Sequence, residues 1–278
     1  MTVTTQLVEE LAALGVLAGT VLLVHAACRN LGTSPGAVLA ALLRALGPEG
    51  TLVVPTFTAG NSDTSPAYRR CTLGMTEREA AAYRAAMPPF DVHRTPSQDM
   101  GALAEKVRLS PRAVRSAHPQ TSFAALGPQA VELTADHDEA CHLGPDSPLG
   151  RLERAGAQVL LLGVGFTVCT AFHLAEYRLP DPPRREYRCV VGRDGTRRWT
   201  SFKDVDLDDS DFGALGADFE HCRAMGPDPL VRTGRVGAAY ARLFPLAPAV
   251  DFATGWLSGN RPRHIPPASS QGAAQFLH

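Results

Sequence analysis

His173 and Glu176, three positions apart, form the most chemically suggestive pair in the sequence. On a helix that spacing places both side chains on one face. A histidine of near-neutral pKa can take a proton from an attacking amine or hydroxyl, and a neighbouring carboxylate can fix its tautomer and stabilise the imidazolium that forms. The same spacing equally suits an ordinary surface pair that adds a few tenths of a kcal/mol to a helix, on the order of 0.2–0.5. His25 and His118 suit core or capping roles as readily as catalytic ones. Histidines 93, 137, 142, 221, 264 and 278 show no metal-ligand spacing, so no metal is expected.

Other chemistries lack their residues. No Gly-x-Ser-x-Gly elbow is present. The six cysteines contain no CxxC pair and read as free thiols. Cys169 stands four residues before His173 and could share its helical face, with packing as the alternative to a covalent role. Neither a Walker loop nor a Gly-x-Gly-x-x-Gly signature occurs, which argues against nucleotide hydrolysis and dinucleotide binding.

The elements that must position these groups belong to an ordinary globular chain of 278 residues, 45% hydrophobic and 20% charged. A net charge of −1 gives no basic stripe for nucleic acid. No apolar run approaches the roughly 18 residues of a membrane span, and the first thirty residues lack a secretory signal, so a cytoplasmic location is expected. Charge is uneven. Five carboxylates fall between Asp204 and Asp211, after a segment crowded with Arg184, Arg185, Arg188, Arg193, Arg197 and Arg198. The acidic run can be a solvated loop or a field that draws in a polycation.

Apolar periodicity predicts a helix over 6–17, a strand at Val21–Val24 closed by His25, a helix over 35–46 and a strand over 51–56. Residues 158–164 carry the strongest buried-strand signal, followed by a helix over 170–178. Strands that are apolar throughout, alternating with helices, indicate an α/β fold whose mixed, largely parallel central sheet is flanked by helices. Residues 60–95 read as an irregular excursion over the sheet edge. Residues 181–200 read as a small β-ribbon turning at Arg193-Asp194-Gly195-Thr196. Residues 234–244 read as a helix, and the tail after about residue 260 as loose. With no repeat or linker, the simplest account is one domain over residues 1–278.

Taken in order, several segments resemble the aminoglycoside 3-N-acetyltransferase family, antibiotic acetyltransferases unrelated to the GNAT fold. They include Leu23-Val24-His25 with Arg29, Leu46 through Thr56, Met100-Gly101-Ala102-Leu103-Ala104-Glu105 and Arg115-Ser116-Ala117-His118-Pro119. They continue through Ser122-Phe123-Ala124-Ala125, Ser147 through Arg151, Leu160 through Gly165, His173-Leu174-Ala175-Glu176, Asp218-Phe219-Glu220 and the stretch from Gly234 to Gly237. The resemblance implies direct acetyl transfer from acetyl-coenzyme A to the 3-amino group of an aminoglycoside, with no metal, by a monomer or homodimer. Carried onto this chain it makes His173 the base, Glu220 its orienter and Glu176 a substrate-side partner. It places coenzyme A along His25, Ala26, Ala27 and Cys28, at Thr56, and along Arg115, Ser116, Ser122 and Phe123. On the acceptor side the expected residues are Phe57, Asp63, Phe166, Cys169, Glu176 and Asp204.

Two departures bear on the acceptor. Family members often carry serines where this chain has Ala26-Ala27, which leaves backbone donors to polarise the thioester carbonyl. They also often have a polar His-Asp-x-Asn stretch where this chain has Phe166-Thr167-Val168-Cys169, a change that suits a less polar amine. Aminoglycoside resistance, N-acylation of another amine in natural-product biosynthesis, and a non-catalytic coenzyme A-binding relative are the three readings that follow.

Overall fold

The computed structural model describes residues 2–222 and 229–262. Strands β1 (Val21–Ala26), β2 (Thr51–Pro55), β3 (Val114–Arg115), β4 (Phe123–Leu126), β5 (Gln158–Leu162), β8 (Arg232–Val236) and β9 (Ala239–Pro245) form a seven-stranded sheet. Its spatial order is β3-β4-β2-β1-β5-β9-β8. Strands β6 (Arg184–Arg193) and β7 (Thr196–Val205) form a separate antiparallel ribbon. The main sheet is mixed as expected but not largely parallel, since only two of its six ladders are parallel. Its parallel ladders are the central β2-β1-β5 pairings, and both flanks are antiparallel.

The central strands are apolar throughout because both faces are covered. Val21 and Leu23 pack with Phe172, Phe212, Phe219 and Phe244 on one side. Leu22 and Val24 pack with Leu7, Leu11, Leu42 and Leu103 on the other. Two residues beyond Leu23, His25 follows the strand alternation onto the aromatic side. Helix Pro35–Leu46 has the bounds its signals set, with the Ser34 side chain accepting from the Ala37 N–H and Pro35 in the first turn.

Several expectations are corrected. The first helix is Val3–Leu14, ended by Gly15 at φ +109, so its last apolar residue lies before the position read as Leu17. β5 stops at Leu162, because Gly163 turns with φ +69. Residues 60–95 contain helices Pro66–Cys71 and Glu77–Ala86, the second opened by a Thr76/Glu79 capping box that the polar composition concealed. The stretch from Thr170 is a 3-10 turn, Thr170–Phe172, followed by one α-turn, His173–Glu176.

The largest correction is at 234–244, where β8 and β9 form a hairpin in place of a helix. Its apolar residues fit either period locally. Gly237 at φ +59 makes the turn, and β5 supplies the pairing partner that decides for strand. The ribbon turn falls where expected, with Asp194 and Gly195 both at positive φ, as a two-residue type I′ turn requires. Of the tail read as loose, Arg261 is firmly bonded, and residues 263–278 lie outside the described residues.

Candidate active site

The carboxyl ends of the three parallel strands point into one cavity of about 590 Å³. His25, Ala26, Ala27 and Cys28 line it at the end of β1, Pro55 and Phe57 at the end of β2, and Val164, Thr167 and Val168 after β5. Ligands collect at this end of open α/β sheets. Met100 to Ala104 form a further wall. Gly101 is required there, since at φ +82 a Cβ would stand 3.0 Å from the Ala26 carbonyl oxygen.

The return from β5 to the site is fixed by packing. The Asn30 amide donates to the Gly163 carbonyl at 2.7 Å. Phe166 stacks on Phe172 and lies against Gly216, where a Cβ would stand 2.0 Å from the Phe166 ring. These contacts deliver His173 to the cavity wall, its ring 4.7 Å from that of Phe212.

His173 Nδ1 lies 2.6 Å from Glu176 Oε2. The other oxygen, Oε1, accepts from the Asp208 N–H at 3.0 Å and from Arg261 Nη1 at 2.5 Å. Because an ionised carboxylate only accepts, Nδ1 carries the proton and Nε2 is left with its lone pair. Glu176 is 1% exposed, a burial that its three donors make tolerable. His25 lines the same cavity at 7% exposure, and its Nε2 is buried without a partner. Burial, reinforced by the facing His173, pushes the His25 pKa down to about 4. One imidazole is therefore oriented by a carboxylate while the other stays neutral.

The carboxylate on His173 is thus that of Glu176, where Glu220 was expected to orient it. Glu220 accepts from Arg242 Nε at 2.9 Å and from the Tyr240 hydroxyl, both on β9. The unrecognised hairpin brings that cation to it.

Of the residues expected around coenzyme A, His25, Ala26, Ala27 and Cys28 line the cavity. The others are internal fasteners. Arg115 donates to the Thr56 carbonyl at 2.8 Å, to Ser122 Oγ at 3.0 Å and to the Thr95 carbonyl at 2.5 Å. Its burial lowers its pKa to about 10. Thr56 and Ser122 are buried against each other, Ser116 bonds His137, and Phe123 is a core residue. A guanidinium so surrounded by carbonyls has little left for a phosphate. Arg29, by contrast, is exposed at the cavity edge.

On the acceptor side, Phe57 lines the cavity, while Asp63 pairs with Arg188 on the ribbon. Phe166 packs among Phe172, Phe219 and Phe244. Cys169 is buried in the core and burial raises its thiol to about 12, which favours the packing role over a covalent one. Asp204 is buried, accepting from His142 Nδ1 at 2.8 Å and from Tyr177 at 2.6 Å. Of the five acidic-run carboxylates, Asp204, Asp206 and Asp211 are taken up in internal pairs, and Asp209 lines the cavity. The run is therefore neither wholly solvated nor a free negative field.

Arg261, Phe212 and Asp99 were not legible as site residues in the sequence; Phe212 and Asp99 line the cavity, and Arg261 reaches Glu176 behind it. The segment from Met100 to Ala104 carried a family-like pattern without a role, whereas Arg261 lies 85 residues from Glu176 and had no local signal. Among the described residues, no group of His, Cys, Asp and Glu could hold a metal ion. No helix among them is long and apolar enough to cross a membrane.

Comparison with known proteins matches residues 23–258 to the family model described as aminoglycoside 3-N-acetyltransferase. Aminoglycoside N(3)-acetyltransferase VII of Streptomyces paromomycinus is 38% identical over 266 residues, covering 91% of this chain and 90% of that protein. The crystal structure of YokD from Bacillus subtilis superposes with a TM-score of 0.85 at 33% identity, over 94% of this chain and 95% of the other. The binary complex of AAC-IIIb with CoASH gives a TM-score of 0.79 at 29% identity, over 95% and 98% of the two chains.

Proposed function

The chain belongs to the aminoglycoside 3-N-acetyltransferase family, and from that premise we propose that it transfers an acetyl group from acetyl-coenzyme A to the 3-amino group of an aminoglycoside, with His173 as general base. The observation that carries this reading is the His173–Glu176 bond at 2.6 Å on the wall of the strand-end cavity. The free Nε2 of His173 takes a proton from the amine as its nitrogen attacks the thioester carbonyl. The C–N bond forms, the C–S bond breaks, and the leaving thiolate recovers the proton. Direct transfer needs no covalent intermediate on the enzyme.

The cavity suits the donor. Ala26, Ala27, Met100, Ala102 and Leu103 give an apolar passage for a pantetheine arm, and Arg29 at its edge suits a phosphate. The aminoglycoside N(3)-acetyltransferase VII name and the CoASH complex of AAC-IIIb support the same pairing of substrates. The cytoplasm, where acetyl-coenzyme A is made, is the compartment that fits.

A second reading is favoured by Val164, Val168 and Phe212, which give the cavity that holds His173 apolar lining. It is N-acylation of a less polar amine. Free-thiol release from acetyl-coenzyme A against a panel of deoxystreptamine antibiotics and simpler amines separates the two. Turnover confined to deoxystreptamine compounds supports resistance, turnover confined to the simpler amines supports the second reading, and silence across the panel with coenzyme A bound overturns both.

A further inference from the structure

Glu176 links two cavities, bonding a residue that lines the first and itself lining the second. Through Oε2 it holds His173 on the strand-end cavity. Through Oε1 it meets Arg261, which lines a second cavity of about 850 Å³ behind it. Arg261 is fixed in turn: Nε and Nη2 pair bidentately with Asp211 at 2.7 and 2.6 Å, and Nη2 also donates to the Asp208 carbonyl at 2.5 Å. Four polar contacts from one guanidinium leave it little freedom, and planar bidentate pairing defines its orientation.

We infer that Arg261 is a positioning residue for the acyl-transfer reaction, acting through Glu176 to set the basicity and the tautomer of His173. This rests on the reading of His173 as the base. A carboxylate with 1% exposure whose charge faced only an imidazole would stabilise imidazolium strongly. A guanidinium on its far oxygen moderates that pull and keeps the carboxylate ionised. Asp211 tempers the guanidinium in the same way, so the order His173–Glu176–Arg261–Asp211 alternates in charge once the imidazole is protonated.

The other charged groups around His173 are few. His25 faces it from β1, and His142, in the loop before helix Pro148–Arg154, feels its charge. Asp208 and Asp209 lie in the segment after β7, and the rings of Phe212 and Phe172 on that side carry no charge. His25 is kept neutral, His142 is tied to Asp204 and Asp208 accepts from the Ser210 N–H, whereas Glu176 is bonded directly to the His173 ring, so Arg261 and Asp211 act on it through that bond.

The two ends of the chain predict opposite signs. Arg261→Met removes the moderating cation, so the His173 titration moves to higher pH. Asp211→Asn frees Arg261 to act more fully on Glu176, so the titration moves to lower pH. Arg261→Lys retains the charge and restores most of the wild-type position. The readouts are the NMR titration of the His173 side chain in the full chain, which needs no acceptor, and the acid limb of kcat/KM with acetyl-coenzyme A and gentamicin. Thermal melts of each variant confirm that it is folded. Opposite shifts with Lys rescue support the inference, whereas shifts of the same sign, or an unmoved titration in folded Arg261→Met and Asp211→Asn, overturn it. His173→Ala serves as the parallel control: near-normal turnover in that variant sinks the base assignment itself, while an inactive His173→Ala beside unmoved Arg261 and Asp211 variants sinks only the role of Arg261.

Discussion

Nδ1 of His173 and Oε2 of Glu176 stand 2.6 Å apart across a single helical turn, and the carboxylate they share that turn with is almost completely shielded from water. The second oxygen of Glu176 already receives two donors, Asp208 N–H and Arg261. In Glu176→Gln those donors hold the amide oxygen, turning the NH₂ toward His173. The imidazole then accepts at Nδ1 and carries its proton at Nε2, the wrong tautomer for a base. Turnover is expected to fall about 100- to 10,000-fold with little change in coenzyme A binding, measured by steady-state kinetics and calorimetry. A variant with wild-type kcat would show that the tautomer does not matter.

Glu220 should behave differently. Its partly exposed pair with Arg242 stabilises by only about 1 kcal/mol or less. Glu220→Gln is expected to retain kcat and its pH profile within about twofold. A loss matching that of Glu176→Gln would restore Glu220 to the catalytic machinery.

Arg115 tests whether a family-like arginine binds phosphate or braces the strand ends. Its contacts to Thr56, Ser122 and Thr95 predict that Arg115→Ala destabilises the fold by about 2–3 kcal/mol, read by denaturant melts. The KM for acetyl-coenzyme A should change little. A raised KM in a protein of unchanged stability would reverse the assignment.

Acid stability follows from the buried imidazoles. His118 Nδ1 accepts from the N–H groups of Gln120 and Thr121, so protonating it destroys those bonds. Burial holds His118 well below its ordinary value and brings His25 and His137 to about 4. The unfolded chain binds these protons near pH 6.5; in the folded chain His25 and His137 take theirs only near 4, and His118 is likewise held well below its ordinary value. Stability is therefore full above about pH 6.5 and is lost as the pH falls from there toward 4. A Tm lower by about 10 °C at pH 4.5 than at pH 7.5 is expected, with His118→Asn flattening the dependence. An equally steep curve in that variant would place the sensitivity elsewhere.

How much of this was legible in the sequence follows the range of the forces involved. His173 and Glu176 were readable because their contact is local, and the ribbon turn because Asp194-Gly195 meets a local backbone demand. Residues 234–244 read as a helix because the strand identity of the hairpin they belong to comes from pairing with β5, some eighty residues earlier in the chain. Arg261 was invisible for the same reason. The Glu220 assignment came from the resemblance, and the partner that occupies it, Arg242, lies on this same hairpin. Resemblance located the segments that build the site, but it could not separate the residues facing the cavity from those, such as Arg115 and Ser122, that fasten the strands behind it.

The proposed mechanism turns on His173 taking the acceptor's proton. The most direct measurement is kcat for free-thiol release from acetyl-coenzyme A with a deoxystreptamine acceptor, wild type against His173→Ala, with coenzyme A affinity followed by calorimetry. A fall in kcat of about 100- to 10,000-fold at nearly unchanged affinity is the predicted result. Near-normal turnover in His173→Ala would contradict the account and move the base elsewhere in the cavity.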